Sequence, residues 1–314
     1  IVMATGLYNK LWANRQPGLS QQLISGKTVL ITGGNSGIGY ETAKELLQRG
    51  ARVIIACRNL SKGREASDNL VIETGCDKKN IELMECDLCS LDSVRNFAKI
   101  YDENEERLDI LICNAGLGWS SQTLTDDGFN TVIQANYLGH FLLTNLLLQK
   151  LKQCRPSRII NVSSDLHKHV KTIDWSDALI QNQSSRWTGA YPSSNLFKIL
   201  MAFKLKQDLL AEGVDIFALT PGWVSSSIQD PTAEALGWFG RIFYTPFIGL
   251  LKYAFAKTPA DGACTVVYCA VEPSLEKTED LYFENCTVGK PSSLAVDQSS
   301  ADQLYKISCE SVGL

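Results

Sequence analysis

Apolar residues along the chain come in short runs that alternate with amphipathic stretches. Runs such as Val29–Ile31 and Arg52–Ala56 are typical of parallel strands, which are buried on both faces. Between these two runs, Tyr40–Gln48 repeats its apolar residues at helical spacing. Because strand and helix signals alternate and no strand directly follows another, the sequence predicts an α/β fold with a doubly wound parallel sheet.

The same reading places seven strands and six helices. The predicted strands are Val29–Ile31, Arg52–Ala56, Ile81–Glu85, Leu108–Cys113, Arg158–Val162, Val214–Leu219 and, at the edge, Leu281–Phe283. The predicted helices are Tyr40–Gln48, Leu60–Glu73, Ser93–Ile100, Phe129–Leu151, Tyr191–Ala211 and Asp261–Ala270. Residues 1–26 are interpreted as an N-terminal extension, residues 27–314 as a single dinucleotide-binding domain, and the residues after the edge strand as a tail.

The first turn between strand and helix is the most specific signal for a ligand. It reads Thr-Gly-Gly-Asn-Ser-Gly-Ile-Gly over residues 32–39. Glycine lets the backbone turn tightly and approach a pyrophosphate, whose charge is met by the helix N-terminus. The turn therefore predicts a dinucleotide site. The predicted cofactor contacts here are Gly33, Asn35, Ser36, Gly37, Ile38 and Gly39.

The end of the second strand indicates which dinucleotide is bound. Folds that prefer NAD usually place an acidic residue near this point to hold the ribose 2′-hydroxyl. Here the chain carries Cys57 followed by Arg58, and a guanidinium can pair with a 2′-phosphate. We therefore predict NADP(H), with a surface arginine and bound NAD as the alternative.

Length, net charge and cysteine content limit the classes of function that are possible. The 314 residues suit one large α/β domain, and the net charge of -4 with intermixed signs argues against a nucleic-acid partner. The ten cysteines include several in predicted strands and helices, such as Cys57 and Cys264, which favours buried thiols in a reducing compartment and a cytoplasmic location. We expect neither a signal peptide nor a membrane-spanning helix. His167 and His169 have no third ligand nearby, so no metal site is predicted.

The segment 235–256 is strongly apolar but is interrupted by Arg241, Pro246 and Lys252. Two interpretations stay open. The segment belongs to a helical lid, residues 225–258, over a pocket for a lipophilic small molecule, or it lies on an intracellular membrane as a peripheral contact. The sequence is also compatible with a homodimer.

Three motifs occur in order: the glycine turn, Asn114-Ala115-Gly116, and the pair Ser163-Ser164 with Tyr191 placed 27 residues after the second serine. In combination they resemble the short-chain dehydrogenase/reductase family from Lys27 to Phe283, and runs such as Ala56-Cys57-Arg58 look most like its retinol dehydrogenase branch. The resemblance implies a Rossmann-type fold. It also implies an NADP(H)-dependent oxidoreductase that interconverts a lipophilic, retinoid- or steroid-like carbonyl and alcohol.

The resemblance also implies individual roles. Tyr191 would be the general acid and base, Ser164 would polarise the carbonyl, and Asn136 would hold a water of the proton relay. Family register favours Ser164 over Ser163, and the sequence alone does not decide between them. The remaining implied cofactor contacts are Asp87, Leu88, Asn114, Ala115, Gly116, Tyr191, Asn195, Pro221 and Gly222. For Asp87, a plain helix N-cap is an equal alternative to an adenine contact.

The sequence departs from the family pattern at one position. The lysine expected four residues after Tyr191 is replaced by Asn195. Lys198, seven residues after Tyr191, is a catalytic candidate that could partly replace it, because long helical side chains lean toward the N-terminus. Tyrosine has a reference pKa of about 10, and the family lysine lowers it. Asn195 brings no charge, so we expect carbonyl reduction to be favoured over alcohol oxidation. The alternative is a relative that binds cofactor and acts as a sensor or interaction protein with little or no turnover.

Overall fold

The structure, a computed structural model, describes residues 20–118, 120, 123–180, 189–224 and 256–314. Within these ranges the chain forms one eight-stranded sheet in the order β3-β2-β1-β4-β5-β6-β7-β8, with helices on both faces. The Rossmann-type α/β fold is confirmed. Most of the predicted N-terminal extension, and all of the predicted lid except residues 256–258, lie outside the described residues.

The strands pair in parallel from β3 to β7. They are β1 Thr28–Thr32, β2 Arg52–Cys57, β3 Ile81–Glu85, β4 Ile110–Cys113, β5 Ser157–Val162, β6 Val214–Thr220, β7 Tyr282–Glu284 and β8 Thr287–Val288. The strand order reverses between β1 and β4. In an open parallel sheet this reversal opens a crevice beyond the carboxyl ends of the strands, where ligands bind.

The strand β8 corrects the expectation that no strand directly follows another. It pairs antiparallel with β7 through a two-residue turn. Both turn residues, Asn285 and Cys286, have positive φ values of 54° and 57°, which a tight hairpin requires. A two-residue strand after such a turn leaves too little alternation to be read from the sequence.

Helices cover the sheet in two layers. They are α1 Gly37–Gln48, α2 Leu60–Thr74, α3 Leu91–Asn104, α4 Gly139–Gln153, α5 Ala190–Ala211, α6 Pro259–Val271 and α7 Gln298–Val312. The helices α1, α2 and α6 pack on one face, and α3, α4, α5 and α7 pack on the other. The predicted long helix over 129–151 is divided, because a turn Thr131–Ile133 and a π-helical segment Gln134–Leu138 precede α4.

The C-terminal residues form a helix, so the prediction of a tail is wrong. Asp297 caps α7 by accepting a hydrogen bond from the Ser300 amide at 2.8 Å. The helix packs on the core through Ala301 and Leu304, and its Ser308 hydroxyl bonds the Tyr137 hydroxyl at 2.7 Å. Serines on the buried face dilute the apolar stripe, which explains why the helix is hard to read from the sequence.

A buried carboxylate ties the start of β1 to the start of β4. Asp109 is 1% exposed and bonds Lys27 Nζ at 2.9 Å, Arg107 Nη2 at 2.8 Å and the Thr28 amide at 2.9 Å. Burial alone would raise the pKa of Asp109, but these hydrogen bonds together hold it below its usual value. Its contribution to stability is therefore present above about pH 4 and is lost as the pH falls below that value.

Asp109→Asn should lower the free energy of unfolding at pH 7 by about 3 kcal/mol, because two cations lose their buried partner. Urea unfolding measures the change. Asp68→Asn is the control, since Asp68 pairs with Lys78 at 3.6 Å on the surface and should contribute less than about 0.5 kcal/mol. Equal effects of the two variants would contradict the assignment.

Candidate active site

A cleft with a cavity volume of about 890 Å³ opens at the carboxyl ends of the central strands. Most of the predicted site residues line it. They are Gly33, Asn35, Ser36, Gly37, Ile38, Gly39, Arg58, Asp87, Asn114, Ala115, Gly116, Asn136, Tyr191, Asn195, Lys198 and Pro221. Leu88 lines a smaller adjoining cavity of about 160 Å³. Ser164 and Gly222 line neither cavity as formed by the described residues.

The glycine turn leaves no space for a side chain at position 39. A Cβ at position 39 would lie 2.4 Å from the Gly33 carbonyl oxygen and 2.5 Å from Asn114 Nδ2. Gly33 has φ +67°, a conformation that favours glycine. Ser36 precedes α1 without a side-chain capping bond, which suits a helix N-terminus that receives an anion. These features fit the pyrophosphate of a dinucleotide.

Asn114 fixes this turn to the neighbouring strand. Its Nδ2 donates to the Thr32 carbonyl at 2.9 Å, and the Thr32 Oγ1 accepts the amides of Asn114 and Ala115, both at 3.0 Å. The same Oγ1 lies 2.8 Å from His140 Nε2. The carboxyl ends of β1 and β4 are therefore held together directly beneath the cleft.

At the far end of the cleft, Arg58 and Asp87 face each other at 4.0 Å. Asp87 Oδ1 accepts the Cys89 amide at 2.9 Å, whereas Ser90 caps α3 by accepting the Ser93 amide. The N-cap interpretation of Asp87 is therefore wrong. Lys62 lines the cleft beside Arg58, which the sequence did not reveal because a lysine on an amphipathic helix is usually a solvated surface residue.

The π-helical segment carries Asn136, which makes its hydrogen bonds within the protein. The side chain bonds the backbone N–H and C=O of Leu117 at 2.6 and 2.9 Å and donates to Ser194 Oγ at 3.0 Å. Ser194 in turn donates to the Tyr191 carbonyl at 2.8 Å. Asn136 thus joins the π-helical segment to the first turn of α5.

Tyr191 lies in that first turn of α5, and the two serines nearby differ in their bonds. Ser163 Oγ donates to the Asn195 carbonyl at 2.9 Å. Ser164 Oγ accepts the Leu166 amide at 3.3 Å, a bond that does not use its own proton. Only the second arrangement keeps a hydroxyl proton for a substrate carbonyl, whereas Ser163 and not Ser164 lines the cleft formed by the described residues. The choice of Ser164 therefore stays a prediction.

A search with family models matches the short chain dehydrogenase family over residues 27–237. The chain belongs to the short-chain dehydrogenase family. Human retinol dehydrogenase 12 is 39% identical over 294 residues, covering 93% of this chain and 88% of that protein. Retinol dehydrogenase 14 from Mus musculus is 40% identical over 313 residues, covering 96% and 90%. These relatives support the retinol dehydrogenase branch.

Solved structures give the same family fold. A protein from Mycobacterium paratuberculosis superimposes with a TM-score of 0.70 at 29% identity, covering 94% of this chain and 96% of that protein. The Pseudomonas aeruginosa RhlG/NADP complex gives a TM-score of 0.62 at 23% identity, covering 84% and 96%. The second likeness concerns the fold alone. As a family member, the chain is an oxidoreductase that uses a nicotinamide cofactor.

Compared with the short-chain dehydrogenase pattern, lysine and asparagine have exchanged places on α5. Asn195 is 3% exposed, and its Nδ2 donates to the Tyr191 carbonyl at 2.8 Å. Lys198 is 2% exposed and donates from Nζ to the Val162 carbonyl at 2.9 Å, at the end of β5. Burial lowers the pKa of Lys198 to about 8. Both side chains reach the floor of the same cleft.

The Pro-Gly turn of the family pattern is held from behind by a buried lysine. Lys257 Nζ donates to the Pro221 carbonyl at 3.0 Å and to Asn285 Oδ1 at 2.9 Å. A Cβ at Gly222 would lie 3.0 Å from this Nζ. Gly222 therefore lets Lys257 approach the turn, and its contact with cofactor stays a prediction. Lys257 was missed, since nothing in its sequence context distinguishes it from a surface lysine.

The described residues contain no group of three or more His, Cys, Asp or Glu side chains placed to hold a metal ion. They also contain no helix with the length and apolarity needed to cross a membrane.

Proposed function

We propose that this chain is an NADP(H)-dependent reductase of lipophilic, retinoid- or steroid-like carbonyl compounds. The observation that carries the proposal is the joint lining of one cleft by the glycine turn, Arg58 and Tyr191. NADP(H) is preferred because Arg58 and Lys62 line the end of the cleft where a 2′-phosphate would lie.

The proposed mechanism assigns the proton to Tyr191 and the polarisation to Ser164. Bound NADPH would supply the hydride that reduces the carbonyl carbon. Tyr191 donates its phenol proton to the carbonyl oxygen, and Ser164 donates a hydrogen bond to the same oxygen as negative charge develops. Asn136 is proposed to support Tyr191 through Ser194, and the predicted relay water stays untested.

The exchange on α5 favours reduction. Reduction uses a neutral phenol, whereas oxidation needs the phenolate, which a nearby positive charge stabilises. Asn195 offers hydrogen bonds to the ribose without charge. Lys198 lines the cleft from one turn further along α5 and would replace that charge only in part, because its ammonium group is bonded to the Val162 carbonyl.

The lipophilic substrate class rests on the retinol dehydrogenase relatives and on the apolar segment 235–256. We propose that residues 225–258 close over the substrate. Peripheral contact of the segment 235–256 with an intracellular membrane, a cytoplasmic location and a homodimer stay predictions.

An assay of NADPH binding together with NADPH consumption on a retinal, steroid and quinone panel tests the proposal. We expect binding and turnover on at least one lipophilic carbonyl. Asn195 favours a second candidate, a cofactor-binding sensor or interaction protein. Tight binding of NADPH without turnover on the whole panel would overturn the reductase and support that second candidate.

Arg58→Ala should raise the KM for NADPH about 10- to 30-fold and leave the KM for NADH within twofold. The reason is that one charge-assisted hydrogen bond to the 2′-phosphate is lost, at a cost of about 1.5 to 2 kcal/mol. Arg64→Ala is the matched control, since Arg64 is exposed on α2, the helix that follows Arg58, and does not line the cleft. A proportional rise in both KM values would argue against the 2′-phosphate contact.

Asn195→Lys should raise alcohol oxidation at pH 7 about tenfold and change carbonyl reduction much less. A lysine four residues after Tyr191 lowers the pKa of the phenol, and one pKa unit corresponds to a tenfold larger phenolate fraction. Rates in both directions, measured from pH 6 to 10 for wild type and variant, give the comparison. If oxidation near pH 7 is unchanged, the missing lysine is immaterial.

A further inference from the structure

His167 lies three residues after Ser164 and is completely buried. It is the middle residue of the 3-10 helix Asp165–His169, and both of its ring nitrogens make hydrogen bonds. Nδ1 lies 2.7 Å from the Ser164 carbonyl oxygen, and Nε2 lies 3.2 Å from the Ser292 amide nitrogen. A carbonyl can only accept and an amide can only donate, so the ring carries its proton on Nδ1.

These bonds hold the turn that carries Ser164. The Ser164 carbonyl also accepts the His167 amide at 3.1 Å, so a single residue supplies two donors to one oxygen. The ring packs edge-on against Tyr282 of β7, with centroids 5.4 Å apart. Ser292 belongs to the segment that leads into α7, more than a hundred residues further along the chain. His167 therefore links the Ser164 turn to the C-terminal part of the fold.

We propose that His167 is a positioning residue, which fixes the direction of the Ser164 hydroxyl by holding the Ser164 turn against the backbone of Ser292. The catalytic consequence rests on the proposed function, whereas the hydrogen-bond arrangement does not. The bonds require the neutral ring, because a proton on Nε2 would face the Ser292 N–H, another donor.

The surroundings of His167 favour this neutral form. Burial is the main cause that lowers its pKa, and Lys168 acts in the same direction. The Ser164 carbonyl and Asp165 act in the opposite direction. Lys168 is itself held by Asp165 at 3.0 Å and by Glu284 of β7 at 3.8 Å.

Two variants of Ser292 test the hydrogen bond from its backbone N–H to His167 Nε2. Ser292 has φ -66°, which proline adopts, so Ser292→Pro removes the N–H donor without forcing a new φ. Ser292→Ala keeps that donor and removes a buried hydroxyl that makes no hydrogen bond within the described residues. We expect Ser292→Pro to lower kcat about tenfold with KM for NADPH within twofold, and Ser292→Ala to match wild type. Equal kcat values for the two variants would overturn the proposal.

Variants of His167 itself give a second comparison. The amide of asparagine can donate from near the place of Nδ1, so His167→Asn should retain several-fold more kcat than His167→Leu. If both variants lose kcat equally while remaining folded by circular dichroism, the Nδ1–H donor is not what positions Ser164, and the proposal fails.

Imidazole ¹⁵N NMR provides a readout that is independent of activity. We expect a neutral Nδ1–H signal at pH 7 that disappears in His167→Asn. In Ser292→Pro we expect the proton to stay on Nδ1 and the resonance of the unprotonated Nε2 to shift, because that nitrogen loses its donor. A wild-type ring with its proton on Nε2 would contradict the proposed hydrogen bonds of His167. Absence of turnover on the whole carbonyl panel would instead overturn the proposed function, and it would leave the result on the His167 tautomer unaffected.

Discussion

Tyr191→Phe should lower kcat about 1,000-fold in both reaction directions and leave the Kd for NADPH within twofold. The substitution removes only the phenol oxygen that is proposed to transfer the proton, and general acid catalysis contributes about 10² to 10⁴ in rate. The hydrogen bonds of Asn195 and Ser194 go to the backbone carbonyl of residue 191, so the first turn of α5 survives the change.

Stopped-flow NADPH oxidation and fluorescence titration of NADPH measure the two quantities. Tyr305→Phe is the matched control. It removes a hydroxyl on α7 that donates to Asn145 Oδ1 of α4 at 3.2 Å, and Tyr305 does not line the cleft. The control should keep full activity. Retention of more than about a tenth of wild-type kcat by Tyr191→Phe would show that another group delivers the proton.

The overall fold and the cofactor end of the cleft were predictable from the sequence because their residues obey local rules. Parallel strands such as β1 and β4 are apolar on both faces, and the glycine turn is required by the close approach of its backbone to Asn114. Membership of the short-chain dehydrogenase family and the α/β fold are accordingly confirmed.

The missed elements depend on contacts between distant residues. His167 reads as an ordinary loop histidine, yet Ser292 and Tyr282 bury it from the far end of the chain. Lys257 reads as a surface lysine, because a long aliphatic stem allows the ammonium group to be either exposed or buried. Only tertiary packing distinguishes these cases.

Lys198 is buried without a carboxylate partner, and such a buried charge lowers the free energy of unfolding. We therefore expect Lys198 to serve the reaction and not the stability of the fold. In the described part of the chain, its ammonium group bonds the Val162 carbonyl and forms no ion pair. Burial holds its pKa at about 8, compared with about 10.4 for an ordinary lysine. Below pH 8 the protein carries a buried charge, and the desolvation of that charge opposes folding.

Lys198→Met should therefore raise the free energy of unfolding by about 1 to 4 kcal/mol at pH 7. The same variant should lower alcohol oxidation at pH 7 about tenfold, because the phenolate loses its nearest proposed cation. Between pH 8 and about 10.4 the unfolded wild type binds more protons than the folded protein, so wild-type stability rises with pH. The advantage of the variant should shrink over this window.

Urea unfolding at pH 7, 8, 9 and 10, with oxidation rates on the same samples, measures both effects. Lys206→Met is the matched control on the same helix. Lys206 Nζ is buried over the Phe217 ring at 5.2 Å, and Lys206 does not line the cleft. That control should gain stability without any change in oxidation rate. A Lys198→Met variant that keeps the wild-type oxidation rate at pH 7 would show that Lys198 does not assist alcohol oxidation.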